Sequence, residues 1–225
     1  MVVKSPEIVS EKRITEGRTI SWPRLYDWLA SLLYPGNGNR LQESILDLLP
    51  DSLTVNDVLD IGCGTGELLL LARKKFPGTV SLVGVDASAK MIERARKKSA
   101  ERKAGVEFKQ APAEDLPLED SSFDLLFSTL MIHHLPEPLV PASLQQMHRV
   151  LRRDGRVLIV DIQSRSGSIL EKLKDSLILL HGGHKRYQDS METLALQMHQ
   201  NGFELESKGS VDRQLSYLIA RKSIS

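Results

Sequence analysis

Residues 58–66 read V-L-D-I-G-C-G-T-G, an apolar run with an acid near its end that breaks into three alternating glycines. A buried parallel strand reads as a continuous apolar run, and residues 55–61 fit once Asn56 and Asp57 are placed at its mouth. Gly62, Gly64 and Gly66 then let the backbone turn tightly and approach a ligand, because glycine has no side chain and tolerates positive φ. From Glu67 to Lys75 the pattern becomes helical. The loop therefore leads into a helix N-terminus, whose free N–H groups favour a carboxylate or another anion.

A second apolar run, Ser81 to Val85, ends on another acid, Asp86. An acid at that strand end accepts hydrogen bonds from the two hydroxyls of a ribose. Strand, glycines, helix, strand and acid in this order describe a nucleoside pocket. The spacing is G-x-G-x-G and not the dinucleotide fingerprint G-x-G-x-x-G, which argues against a nicotinamide oxidoreductase, as does the lack of a catalytic Tyr or His set.

The chain has 225 residues, 41% hydrophobic and 26% charged, as expected for one ordinary globular core. Its net charge of +1 gives no global argument for nucleic acid. The basic clusters at residues 73–75 and 94–98 read as solvated helix ends. A single cysteine, Cys63, precludes an intrachain disulfide and the paired-cysteine zinc spacings. No signal-peptide h-region and no apolar run of spanning length is seen, so a cytoplasmic location without a transmembrane segment is expected.

Residues 1–20 read as a flexible N-terminal arm, and 21–225 as a single domain. Two helices are expected over 21–50: Leu25, Trp28, Leu29, Leu32 and Leu33 form one apolar stripe, and Leu41, Ile45, Leu48 and Leu49 a second that stops at Pro50. Ser88 can cap a helix running to about Arg102, a short strand follows at 106–109, and the next apolar run is 123–128. A helix over 144–151 is expected to end at Asp154-Gly155, with strand five at 156–161. Residues 163–188 read as an insertion or lid with Gly182-Gly183 as its hinge, before a helix over 190–200. Two alternating strands, 203–208 and 214–220, are joined by a turn short enough for an antiparallel hairpin. Strands alternating with helices imply an α/β fold, a doubly wound parallel sheet with helices on both faces.

The motifs V-L-D-I-G-C-G-T-G, V-G-V-D-A-S-A-K-M-I-E-R-A, A-E-D-L-P-L-E-D-S-S-F-D-L-L-F-S, H-R-V-L-R-R-D-G-R-V-L-I-V-D and the closing N-G-F stand in order from about Leu53 to Lys222. In these the chain resembles the class I S-adenosylmethionine-dependent methyltransferases. The resemblance implies a Rossmann-like seven-stranded sheet, mostly parallel with one antiparallel strand, in the order 3-2-1-4-5-7-6. It also implies S-adenosyl-L-methionine as cofactor and in-line transfer of its methyl group to a small, lipophilic acceptor. The alternatives are a module that binds the cofactor without transfer, and a methylase of RNA or protein. The end of the fourth strand, Ser128-Thr129-Leu130-Met131, lacks the amine-gripping Asn/Asp-Pro-Pro-Tyr/Phe tetrad of many such methylases.

By resemblance, Asp60 takes the methionyl ammonium, Gly62 and Gly64 offer backbone groups to the methionyl moiety, and Cys63 packs between them. Asp86 takes the ribose, with Ala87 beside it, and Met91 packs beside the adenine. Relatives carry Asp or Asn just before the Ala-Glu-Asp run, where this chain has Pro112, which has no side-chain donor or acceptor. Adenine is then left to the backbone of Ala113, with Glu114 as acceptor. Ser128 lies by resemblance next to the transferred methyl. No dedicated catalytic residue is required, since holding nucleophile, methyl and sulfur in line is the main task. His133, first of the pair after strand four, is a candidate base. Tyr26 is a second candidate, because Tyr26-Asp27 resembles the gating segment of quinone-type C-methyltransferases. No metal site is expected. The substrate wall is sought in Trp22, Tyr26 and Trp28 and in the 163–186 insertion, where His184, Lys185 and Arg186 cluster.

Overall fold

The computed structural model describes residues 14–17, 40–50, 53–162 and 191–223. Its elements in chain order are α1 (Arg40–Leu46), β1 (Asp57–Ile61), α2 (Glu67–Lys75), β2 (Ser81–Asp86), α3 (Ala89–Glu101), β3 (Glu107–Gln110), β4 (Phe123–Thr129), a 3₁₀ turn (Ile132–His134), α4 (Leu139–Val150), β5 (Leu151–Ile162), α5 (Met191–Gln200), β6 (Phe203–Ser210) and β7 (Leu215–Lys222). The helix expected before Pro35, with Trp22, Tyr26 and Trp28, and the 163–188 insertion, with Gly182-Gly183 and His184 to Arg186, lie outside the described residues.

The seven strands form one sheet in the order β3-β2-β1-β4-β5-β7-β6. β1 pairs parallel with β2 from Asp57↔Ser81 onward and with β4 from Val58↔Leu125 onward. β7 runs antiparallel to β5 and β6, with Ile159 opposite Leu218 and Leu205 opposite Ala220. The order and the antiparallel strand are those implied by the resemblance. The chain crosses from β1 outward in one direction through β2 and β3, then in the other through β4 and β5, which leaves a crevice at the carboxyl ends of β1 and β4 where α/β sheets bind ligands.

Each face of the sheet carries one packed layer. Ile45 and Leu46 of α1, Leu69 of α2, and Ile92 and Ala95 of α3 cover one face against Val58, Leu125 and Leu158. Leu144 and Met147 of α4 and Leu194 and Met198 of α5 cover the other against Leu59, Leu126 and Ile159. The central strands β1, β2 and β4 are buried on both faces, which is why they read as near-continuous apolar runs, whereas the edge strands β3 and β6 keep exposed residues. Each fully buried leucine or isoleucine contributes about 1.5–3 kcal/mol by removal from water.

One local expectation is corrected. The helix over 144–151 does not end at Asp154-Gly155: α4 stops at Val150, and Leu151 already pairs with Phe123 as the first residue of β5. The register then jumps from Phe123↔Leu151 to Leu125↔Arg156, so Asp154 and Gly155 sit in a bulge inside the strand, with Asp154 at φ +63°. A Cβ on Gly155 would lie 2.9 Å from the Arg152 carbonyl oxygen. The small residue and the left-handed acid serve a bulge, whose composition mimics a helix stop.

The basic clusters also differ from a solvated face. Arg73 donates to the carbonyls of Ala104, Pro77 and Val80, which ties α2 to the loops around it. Lys98 is 5% exposed and pairs with Glu67 at 2.8 Å.

Candidate functional site

The glycine loop is fastened to β2 before any ligand arrives. The amides of Gly62 and Cys63 both donate to the Val85 carbonyl, at 2.8 and 2.9 Å. The three glycines do different work. A Cβ on Gly62 would come within 2.3 Å of the Met131 side chain, and one on Gly66 within 2.5 Å of Phe108, so both positions are packed against neighbours. A Cβ on Gly64 would meet nothing within 4 Å, so the central glycine faces open space. All three have positive φ.

Asp86 stands opposite this loop. One carboxylate oxygen accepts from the Gly64 amide at 2.9 Å and the other from the Ser88 amide at 2.8 Å. Ser88 in turn caps α3 by accepting from the Met91 amide at 3.4 Å. Burial raises the Asp86 pKa above its ordinary value, against the two amides that favour the charged form.

Asp60 is 2% exposed, and its Oδ1 is buried without a hydrogen-bond partner. Burial, with the Asp86 carboxylate adding to it, pushes its pKa up to about 8. A cationic donor is what such a site lacks, since it would satisfy the orphaned oxygen and restore the charge. The same surroundings, burial first and then Asp86 and Asp60, push the Cys63 thiol well above its ordinary range. Cys63 is therefore a protonated packing residue, its sulfur 2.9 Å from where a Gly84 Cβ would stand.

The β3 exit closes the far end. Ala111 donates to the Asp86 carbonyl at 3.1 Å, and the Gln110 side chain donates to the Ala87 carbonyl at 3.0 Å. Ala113 is buried, and Glu114 Oε1 accepts a hydrogen bond from the Thr15 hydroxyl while its Oε2 is buried without a partner. Met91 is buried at the first turn of α3.

At the carboxyl end of β4, Ser128 is fully buried and its hydroxyl has no partner, nor has that of Thr129. Leu130 follows at φ +55°, a strained conformation for a bulky residue, and its amide donates to the Val160 carbonyl. This kink brings Met131 against Gly62 and His133 against the end of β5. His133 Nδ1 lies 2.6 Å from Asp161 Oδ1, and the His133 amide donates to Asp161 Oδ2 at 3.2 Å. Burial would raise the Asp161 pKa, but the charge of a protonated His133, its ring hydrogen bond and the amides of Ile162 and His133 outweigh it and hold the carboxyl below its ordinary value.

The structure thus places Asp60, Gly62, Cys63, Gly64, Asp86, Ala87, Met91, Ala113, Glu114, Ser128 and His133 at the carboxyl edge of the parallel strands. Tyr26 lies outside the described residues. Asp161 was not legible as a site residue, its only sequence signal being its place at the end of strand five, whereas Thr129 stands in the 128–131 segment that the resemblance sets next to the transferred methyl.

Residues 58–155 match a methyltransferase domain family. A ubiquinone/menaquinone biosynthesis C-methyltransferase of Citrifermentans bemidjiense is 31% identical over 118 residues, 52% of this chain and 49% of that protein. Over residues 58–155 the chain is thus similar to methyltransferase domains, and its seven-stranded sheet has the order expected of the class I S-adenosylmethionine-dependent methyltransferases. A 27-O-demethylrifamycin SV methyltransferase of Amycolatopsis mediterranei is 35% identical over 125 residues, 54% of this chain and 44% of that protein. The chain spans about half the length of the curated relatives it matches. A SAM-dependent methyltransferase structure from Aquifex aeolicus superposes with a TM-score of 0.68 at 19% identity, over 87% of this chain and 98% of that one. In this methyltransferase domain the glycine loop, Asp60 and Asp86 fit the family's cofactor: the partnerless Asp60 oxygen suits an ammonium, and the open side of Gly64 leaves room beside it. Among the described residues no helix is long and apolar enough to cross a membrane.

Proposed function

We propose that this protein transfers a methyl group from S-adenosylmethionine to a small, lipophilic acceptor. The observation that carries the reading is the fully buried Asp60 carboxylate, with one oxygen left without a partner, at the foot of a glycine loop braced by Asp86. When bound, the cofactor supplies a methyl carbon already activated by a sulfonium. Asp60 would hold its ammonium, and Asp86 its ribose through the acceptor capacity left after two amide hydrogen bonds. The backbone of residues 62–64 would line the methionyl end, with Cys63 packed beneath, and Ala87 and Met91 would flank the nucleoside. Ala113 and Glu114 would receive the adenine, whose amino group suits the partnerless Glu114 Oε2. Ser128 would border the methyl end. The chain's own contribution is to bind, align and exclude water.

A small acceptor is favoured by relatives named for quinone and rifamycin methylation and by the lack of the amine-gripping tetrad after β4. Calorimetry with S-adenosylmethionine against NAD tests the cofactor. Transfer of labelled methyl into cell extract fractionated into metabolites, lipids, RNA and protein tests the acceptor. Label in the metabolite or lipid fraction is expected; label confined to RNA or protein would overturn the small-molecule reading.

A further inference from the structure

We infer that His133, oriented by Asp161, is the general base of the reaction, and that the acceptor is therefore a protic one: a hydroxyl or an activated carbon acid that must lose a proton as it attacks. The inference rests on the methyl-transfer reading above and adds to it the chemistry of the substrate.

The geometry assigns the tautomer. Asp161 is 4% exposed and accepts three hydrogen bonds: from the His133 ring at 2.6 Å, from the Ile162 amide at 2.7 Å, and from the His133 amide at 3.2 Å. An ionised carboxylate only accepts, so the proton of the ring contact sits on Nδ1 of His133. The neutral imidazole then has its lone pair on Nε2, the nitrogen turned away from Asp161. The carboxylate that fixes the ring also stabilises the imidazolium formed when Nε2 takes a proton. The His133 amide bond to the same carboxylate prevents the turn from swinging the ring off it.

The position of the pair ties it to the cofactor crevice. His133 follows β4 and Asp161 ends β5, two adjacent parallel strands, and the same turn seats Met131 on Gly62 of the cofactor loop. Among the described residues, the titratable groups in contact with the His133 ring are Asp161 from β5 and His134, whose ring centre is 4.0 Å away in the same turn. In the step, a lone pair of the acceptor atom forms the bond to the methyl carbon, the carbon–sulfur bond breaks with its pair going to sulfur, and the acceptor's proton passes to His133 Nε2. Water removes that proton after release. An acceptor already ionised in solution would have no use for the pair.

Nitrogen-15 spectra of the histidine-labelled protein at pH 8, without cofactor, test the assignment directly. A neutral His133 protonated at Nδ1 is expected, and an Nε2–H form would overturn the proposal whether or not any acceptor is turned over. Transfer assays with catechol, 1,4-dihydroxynaphthalene and the ionised thiol 4-nitrothiophenol supply a second reading. His133→Ala and Asp161→Asn should each lower kcat on the two hydroxylic probes by about 100-fold or more, with KM and cofactor affinity moved less than about threefold. The loss on the thiolate should stay below about fivefold, since no proton is transferred there. Equal losses on all probes, or wild-type transfer to the thiolate alone, would overturn it. A wild-type protein that fails to bind S-adenosylmethionine in calorimetry would overturn the methyl-transfer reading itself, whereas binding with an Nε2–H His133 sinks only the base.

Discussion

The Asp86 carboxylate accepts the Gly64 amide hydrogen at 2.9 Å, so the acid that ends β2 also holds the loop that leaves β1. Its other oxygen holds the amide of Ser88, the residue that caps α3. Asp86→Asn turns one of these acceptors into a donor facing an N–H. It should cost about 1–3 kcal/mol in stability through the unpaired amide. Cofactor affinity should fall at least about tenfold, a loss of about 1.4 kcal/mol or more, because the ribose loses an acceptor as well. Calorimetric titration and thermal unfolding measure the two effects, and wild-type affinity in the variant would refute the ribose assignment.

The glycines of the loop predict a separation between folding and binding. Gly66→Ala would drive a methyl to 2.5 Å from the Phe108 ring, so it should destabilise by about 1–3 kcal/mol in addition to the strain of its positive φ. Gly64→Ala meets no neighbour, so it should unfold within about 1–2 kcal/mol of wild type. Its methyl would still project into the crevice and weaken cofactor binding. Denaturant unfolding paired with calorimetry would show the contrast, and equal destabilisation by both variants would contradict it.

Asp60 makes stability and binding depend on pH in opposite directions. Its pKa is raised from 3.8 to about 8 by burial and by Asp86, so the folded protein holds this proton where the unfolded chain has lost it. The stabilisation is full below the ordinary value and is lost as pH rises through about 8. An ammonium bound to Asp60 needs the ionised form, so cofactor binding should release a proton below pH 8 and tighten as pH rises towards it. Titrations in buffers of different ionisation enthalpy count that proton. Asp60→Asn should abolish the release and leave the unliganded protein at least as stable as wild type above neutrality.

What could be read before the structure divides along physical lines. The central strands and the glycine loop were legible because burial on both faces and positive φ leave strong local marks, as residues 58–66 show. Partnership across the fold leaves none: His133 and Asp161 are 28 positions apart, and each looks ordinary in its own segment. Asp154-Gly155 misled for a related reason, since a strand bulge and a helix stop ask for the same residues. Lys98 looked like one more cation on a basic helix, and only the placement of α2 beside α3 shows it buried on Glu67 and Thr65.

That buried lysine carries its own prediction. Glu67 accepts from Lys98 at 2.8 Å and from the two terminal guanidinium nitrogens of Arg102 at 2.8 and 3.0 Å. Burial alone would raise the Glu67 pKa, but the hydrogen bonds and charges of Arg102 and Lys98 lower it below its ordinary value. The stability it contributes is therefore present above the ordinary value of 4.5 and is lost as pH falls through its lowered folded value. Lys98→Ala removes the buried partner and leaves Thr65 and Glu67 facing a void, so it should destabilise by about 3 kcal/mol. Urea unfolding at pH 7 measures this, and a loss under about 0.5 kcal/mol would class the lysine with ordinary surface residues.

Thr15 docks the 14–17 segment onto Glu114, just beyond the exit of β3. The Gly17 amide donates to the Thr15 hydroxyl at 2.9 Å, and a Cβ on Gly17 would lie 3.3 Å from Leu135, so the segment bridges from the β3 exit to the turn after His134. Beside it is an open pocket of about 480 Å³ lined by Ile14, Thr15, Glu16 and Glu114. Because Glu114 Oε2 is already buried without a partner, losing the Thr15 hydroxyl would leave both oxygens unsatisfied, at a cost of about 1–3 kcal/mol. Releasing the segment is the cheaper outcome. Thr15→Val should therefore speed tryptic cleavage after Arg18 by at least about fivefold, the factor that 1 kcal/mol gives when opening precedes cutting. Thr15→Ser, which keeps the hydroxyl, should cleave at the wild-type rate. Should valine and serine variants cleave alike, the hydroxyl contact would not be what holds the segment, and apolar packing of Ile14 would have to.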